Sequence, residues 1–143
     1  MRSLTFEDVE NMSNQLANLL HSRGIVRGDT VALFMENRPE FIVSWLAITK
    51  LGGASRAMAR LTRQPDAAKC AMINTSIVQK GLVHCIAVSG AKAVLFGTEL
   101  EQALADVAAD LPKATTLFCQ GRAPALMATA EFVRSPRSCW FLR

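Results

Sequence analysis

The sequence predicts an α/β fold, a parallel sheet with helices packed on both faces. Two observations carry this reading. Short apolar runs of strand length alternate with longer amphipathic stretches in the order α-β-α-β-α-β-α-β, joined by short connections; that rhythm belongs to parallel sheets built from crossover units. The runs are also almost continuously apolar, as strands covered on both faces are.

The first helix starts at Thr5, a capping residue followed by Glu7 and Asp8, whose charges suit the positive end of a helix dipole. Val9, Met12, Leu16, Leu19 and Leu20 form one apolar stripe, and Gly24 stops the helix. Residues 30–35 form the first strand. Asn37 is placed to cap the second helix, with Pro39 in its first turn; Phe41, Ile42, Trp45, Leu46 and Ile48 supply its buried side, and it ends at Gly52 and Gly53. Residues 71–75 read as a short strand and 77–89 as a helix burying Ile77, Leu82, Cys85 and Ile86. Residues 92–96 form a third strand. Thr98 and Glu101 suggest a capping box ahead of the stripe Leu100, Leu104, Val107 and Leu111, which Pro112 ends. Residues 115–119 form a fourth strand.

Two segments break the rhythm. Residues 54–70 lie where a short connection belongs, and residues 121–143 have no clean period. The domain is therefore expected to occupy 1–120, interrupted by an atypical insertion at 54–70 and followed by an atypical tail at 121–143. The two segments also hold the positive charge. Of the net +4 carried by 143 residues, these two segments supply eight basic residues against two acidic, and the rest eight against ten. A nucleic-acid surface does not follow from charge so placed. Arg56, Arg60 and Arg63 would share one face of a helix, but the motif is too short for a membrane-surface helix and reads as a solvated loop.

Half the residues are hydrophobic, and no apolar run approaches the ~20 residues that span a bilayer. The first ten residues contain no secretory apolar core. Cys70, Cys85, Cys119 and Cys139 include no C-x-x-C pair, and His21 and His84 lie far apart, so reduced thiols and no metal are expected, in a cytoplasmic setting. The sequence contains neither G-x-G-x-x-G nor G-x-x-x-x-G-K-[ST]. Gly52 and Gly53 follow a helix and read as a C-cap, since an anion-binding loop precedes one. Asp29, Glu36 and Glu40 are read together near the end of the first strand, the right edge for a site in such a sheet, but with no basic or nucleophilic partner, and so as solvated charges. His84 reads as a half-buried helix residue, and Ser44 and Ser89 lack a nucleophile-elbow context. No catalytic, cofactor-binding or metal-binding residue is assigned.

"LTFEDVENMSNQLANLLHSRGIVRGDTVALFMENRPEFIVSWLAITKLGG" resembles the N-terminal part of the AMP-forming acyl-CoA synthetases, and most closely their fatty acid transport protein branch, the very-long-chain acyl-CoA synthetases. The matching positions are Thr5, Phe6, Ser13, Asn14, Ala17, Gly28, Asp29, residues 31–34 and 36–41, Trp45, Leu46, Lys50, Leu51 and Gly52. "AMINTSIVQKGLVHCIAVSGAKAVLFGTEL" continues it, with Ile73, Asn74 and Thr75 and then Leu82, Val83, His84 and Cys85 typical of that branch. The resemblance covers residues 4–53 and 71–120; the family joins the helix ending at Gly52 and Gly53 to the next strand through a couple of residues, so the resemblance implies that 54–70 and 121–143 are intron-derived or alternatively spliced sequence, a gene-model error, or a true insertion. It implies a partial Rossmann-like sheet, the N-terminal subdomain of an adenylate-forming enzyme. It also implies ATP, magnesium, coenzyme A and a long-chain fatty acid for the whole enzyme, at the endoplasmic reticulum, plasma membrane or peroxisome. The family's phosphate loop, ribose-holding acidic residue, lysine-bearing domain and membrane anchor are not among these residues. The chain is therefore expected to be inactive by itself. One alternative is a non-catalytic isoform that binds the full-length synthetase. Another is a stand-alone flavodoxin-type or receiver-type domain, disfavoured by the long first helix and the lack of paired pocket acids.

Overall fold

The computed structural model describes residues 4–51 and 68–121, together with the backbone of 131–132. Helix α1 (Phe6–Ser22) leads into β1 (Thr30–Phe34), α2 (Pro39–Lys50), β2 (Lys69–Met72), α3 (Gln79–Ser89) and β3 (Ala93–Gly97). A 3-10 turn (Thr98–Leu100), α4 (Glu101–Ala105), a second 3-10 turn (Ala108–Asp110) and β4 (Thr116–Gln120) follow. The expected alternation is present. Beyond it, β5 (Glu131–Phe132) pairs with β4 in parallel and extends the sheet into the tail that had shown no period.

All pairings are parallel, in the order β2-β1-β3-β4-β5. Strand pleating sorts the core into two layers. Val31, Leu33 and Met35 join Ala93, Leu95 and Phe118 on the face covered by α1 and α2, through Leu16, Ala17, Leu20, Ala47 and Ile48. Ala32 and Phe34 join Val94, Phe96, Leu117 and Cys119 on the other face, under Leu82, Ile86, Leu104, Val107 and Leu111.

The first helix is capped as expected: the Thr5 hydroxyl accepts from the Asp8 amide at 3.1 Å, and the Asp8 carboxylate accepts from the Thr5 amide at 2.9 Å. Other element ends differ from the expectations. Pro39 disfavours helical geometry in the residue before it, so Arg38, not Asn37, is the N-cap of α2, extended and without a side-chain capping bond. Strand β2 starts at Lys69 rather than Ala71, because its ladder is set by β1: the Lys69 amide donates to the Asp29 carbonyl and the Ile73 amide to the Leu33 carbonyl. It stops early because Asn74 Oδ1 accepts from the Ser76 amide at 2.9 Å and turns the chain. Thr98 opens a 3-10 turn and makes no capping box with Glu101; α4 begins three residues later. Residues 52–67, with Arg56, Arg60 and Arg63, and the rest of the tail lie outside the described residues.

Helix α2 is rotated from its expected setting. Val43, Ser44, Ala47 and Ile48 are buried, whereas Ile42 and Trp45 are 45% and 38% exposed. Small residues on both helices allow α1 and α2 to pack closely, Ser13 and Ala17 being buried on α1. A polar tie fixes this pair. Lys50 Nζ lies 2.8 Å from Glu10 Oε2 and donates to Ser13 Oγ at 2.7 Å and Asn14 Oδ1 at 2.8 Å.

The Ser44 hydroxyl is fully buried and has no hydrogen-bond partner. Leaving such a group unpaired costs about 1–3 kcal/mol, and Ala is also the better helix former. Ser44→Ala is therefore expected to stabilise the chain by about 1 kcal/mol, read as a higher urea midpoint at unchanged slope. A lower midpoint would show that the hydroxyl is satisfied in solution.

Candidate functional site

The chain runs from β1 to β2 on one side and then returns to β3 on the other. The order of strands thus reverses between β1 and β3, and ligands of open α/β sheets settle at the carboxyl ends of strands near such a reversal. Here that position carries a polar cluster. Glu99, just after β3, accepts from the Glu36 amide through Oε1 at 3.2 Å. Its Oε2 lies 3.0 Å from Arg38 Nη1. Arg38 Nη2 donates to Oε1 of Gln120, the last residue of β4, at 2.7 Å. Glu40 Oε2 is 3.9 Å from Arg38 Nε, which has no hydrogen-bond acceptor. One guanidinium thus ties together the exits of β1, β3 and β4.

Two glycines make room for the cluster. A Cβ at Gly97 would run into the Glu99 carboxylate. Gly121 has φ +120°, a conformation that favours glycine, and a Cβ there would sit 2.8 Å from Thr98 Oγ1.

Beside the cluster a cleft of about 580 Å³ opens between the ends of β1 and β2. Met35, Phe41, Met72 and Ile73 form its apolar part; Glu36, Asn37, Asn74 and Thr75 form its polar part. Among the described residues the lining has no cation and no activated nucleophile. It can shape a partly apolar group and offer it hydrogen bonds, but it cannot neutralise a phosphate or a carboxylate. Arg38 does not supply that charge, being held by Glu99 and Gln120. The described residues therefore do not fit the triphosphate that the resemblance implies for the whole enzyme.

The acidic residues first considered together are separated. Glu36 and Glu40 lie at the carboxyl end of the sheet, whereas Asp29 precedes β1 at the opposite end. Asp29 and Glu40 also have basic partners where none was expected. Asp29 Oδ2 lies 2.9 Å from Lys92 Nζ and accepts from the Val26 amide at 2.8 Å. Burial acts to raise the Asp29 carboxyl, but the Val26 amide and the Lys92 ammonium outweigh it and hold it below the usual carboxylate range. Glu40 faces Arg38. His84 is exposed rather than half-buried. The Ser89 hydroxyl donates to the Ile86 carbonyl at 2.7 Å and is occupied by its own helix.

Cys70, Cys85 and Cys119 are thiols. Burial pushes Cys70 up to about 12. Burial, then the Glu101 and Glu99 carboxylates, push Cys119 up to about 12 against the opposing Arg38. Neither is a thiolate at neutral pH, so neither is poised as a nucleophile. Among the described residues no group of three His, Cys, Asp or Glu side chains could hold a metal ion, and no helix is long and apolar enough to cross a membrane.

Sequence reasoning missed Arg38, Glu99 and Gln120. The available signal was positional: each is the last residue of a strand or follows one closely, on the edge where open α/β sheets place their sites.

Comparison with known proteins adds what the geometry alone does not. The pattern of the AMP-binding enzyme family matches residues 1–137. Long-chain fatty acid transport protein 1 of Bos taurus is 37% identical over 117 residues, covering 82% of this chain and 16% of the relative. The chain thus spans about a sixth of that relative's length. Among solved structures, the inhibitor-bound N-terminal domain of FACL13 from Mycobacterium tuberculosis shares 27% identity at a TM-score of 0.65, over 80% of this chain and 25% of that one. An anthranilate CoA ligase in complex with anthranoyl-AMP superposes at a TM-score of 0.71 with 21% identity, over 91% of this chain and 22% of that one, a likeness of fold. The strand order 2-1-3-4-5 also occurs in flavodoxin-type sheets, so topology alone would not have separated the alternatives.

Proposed function

The chain belongs to the AMP-binding enzyme family, and from that membership we propose that it contributes part of the N-terminal subdomain of a long- or very-long-chain fatty acid–CoA ligase. The observation that carries this reading is the 37% identity to a long-chain fatty acid transport protein across 82% of the chain. In the whole enzyme a fatty acid carboxylate would attack ATP, releasing pyrophosphate and forming an acyl-adenylate. Coenzyme A would then displace AMP to give the thioester. The residues here supply scaffold to that reaction: a rigid parallel sheet, the tied strand exits and one wall of a cleft. The domain they build is proposed to occupy 1–120, with 54–70 as an insertion and 121–143 as a tail.

These 143 residues are proposed not to make acyl-CoA by themselves. No glycine-rich phosphate loop occurs in the sequence, and among the described residues the cleft lining contains no cation to neutralise charge at the transition state. Purified chain incubated with ATP, magnesium, coenzyme A and a radiolabelled long-chain fatty acid is expected to give no thioester above the protein-free blank. Turnover above that blank would overturn this part of the reading.

A second reading rests on the exposed side of the α2–β2 region. Ile42, Trp45 and Met72 are exposed, and β2 is the outermost strand on its side among the described residues. Apolar surface and an outer strand suit a non-catalytic module that docks on the full-length synthetase. Co-purification of the two, lost on Trp45→Glu, is the expected result; failure of the wild-type chain to co-purify counts against it.

A further inference from the structure

We propose that the cleft between the ends of β1 and β2 binds a small organic cation, a protonated amine carried on an apolar body. Its volume of about 580 Å³ falls among small-ligand sites, which span roughly 300–1,000 Å³. Met35, Phe41, Met72 and Ile73 line it with two thioethers, a phenyl ring and an aliphatic side chain. Met72 is 57% exposed, apolar surface that a bound group would cover. Methionine adapts to apolar groups of varied shape and makes favourable contacts with aromatic rings. A phenyl face also attracts a cation placed over it.

Charge decides what else the ligand carries. Glu36 is the one ionised side chain among the described residues of the lining. Its amide is bonded to Glu99, but its carboxylate forms no ion pair among the described residues. Close by, Glu40 and Glu99 share the guanidinium of Arg38, so three carboxylates stand at this edge against that one cation. The lysines of the strands are at the opposite edge: Lys69 opens β2, and Lys92 and Lys113 precede β3 and β4. Lys80, in the first turn of α3, does not line the cleft. A cation entering the cleft therefore meets a negative field and an unpaired carboxylate, whereas an anion meets no counter-charge. The acceptors suit an ammonium group, which brings three donors. Glu36 offers its carboxylate oxygens, and Asn37 and Thr75 add an amide and a hydroxyl oxygen. A carboxylate or phosphate has the wrong sign for this site, so the inference does not depend on the ligase reading.

The test is NMR of labelled methionine methyls in the full chain at neutral pH. The probes are phenethylamine, phenethyl alcohol and phenylacetate, which share a skeleton and carry positive, no and negative charge. Phenethylamine is expected to shift the Met35 and Met72 methyls saturably while Met12, on α1, stays unchanged. It is expected to bind about fivefold more tightly than the alcohol, the upper range for an exposed ion pair, and more tightly still than phenylacetate. Glu36→Gln alters an exposed side chain and leaves the backbone bond to Glu99 in place. It is expected to weaken phenethylamine about fivefold, to the level of the alcohol. No saturable shift with the amine, an equal shift at Met12, equal binding of phenylacetate, or unchanged amine affinity in the variant would each overturn the proposal. A short peptide with lysine between two leucines that bound more tightly than phenethylamine would overturn the assignment to a small molecule.

Discussion

Phe96→Ala is expected to lower the unfolding free energy by about 3–5 kcal/mol. Phe96 is fully buried in β3, whose neighbours β1 and β4 flank it on both sides. In register it lies beside Phe34 and Cys119, both fully buried and in the same layer. Leu82, Ile86 and Leu104 belong to the same cluster from the helices above. Truncation leaves a void in the middle of this layer, and strands bonded on both sides cannot shift to fill it. A domain of this size is stable by about 5–15 kcal/mol, so the variant would lose between about a fifth and all of it. Urea unfolding followed by circular dichroism measures the loss. Phe96→Leu keeps most of the volume and is expected to cost less than half as much. A loss below about 1 kcal/mol for the alanine variant would mean that this layer is not packed as described.

The central strands were legible because covering both faces of a sheet requires continuous apolar runs. Residues 30–35 and 92–96 read as such and lie within a residue or so of β1 and β3. Where a boundary depends on pairing rather than pattern, local reading drifted. Strand β2 follows the ladder of β1 and not its own apolar run. Strand β5 is two residues long, one of them Glu131, and exists through its pairing with β4. The rotation of α2 was hidden for a related reason. Trp45 and Ile42 are its most hydrophobic-looking residues, but Ser44 and Ala47 are the ones buried where α2 meets its neighbours.

The family was legible in residues 4–53 and 71–120, and that resemblance is what the comparisons show. The polar cluster was not. Arg38 read as part of a helix start, and Glu99 stood inside an expected capping box. Their partnership requires the strand order, which brings residues 63 and 82 positions apart to one edge. No local periodicity contains that information.

The cluster makes a prediction whose sign depends on the genetic background. Gly97→Ala should destabilise the wild-type chain by about 2 kcal/mol and become harmless once Glu99 is removed. Gly97 has φ −86° and ψ 148°, which any residue adopts, so backbone conformation is not the reason for glycine here. The reason is space: the three atoms nearest to an added Cβ all belong to the Glu99 carboxylate. That carboxylate is not at liberty to move, since one oxygen holds the Glu36 amide and the other Arg38. Expelling it breaks a charge-assisted bond to a guanidinium whose side chain is only 31% exposed. Losing one partner of a half-buried pair costs about 2 kcal/mol, less than the about 3–5 for a fully buried one. Glu99→Ala should cost about the same, for the same lost bonds. In the Glu99→Ala background the added methyl meets no carboxylate. There Gly97→Ala should be neutral or stabilise by up to about 1 kcal/mol, because it narrows the freedom of the unfolded chain. Denaturant unfolding of the four proteins in the cycle measures this coupling. Additive costs would show that Gly97 is required for something other than room for Glu99, and that the tie between the strand exits does not depend on it.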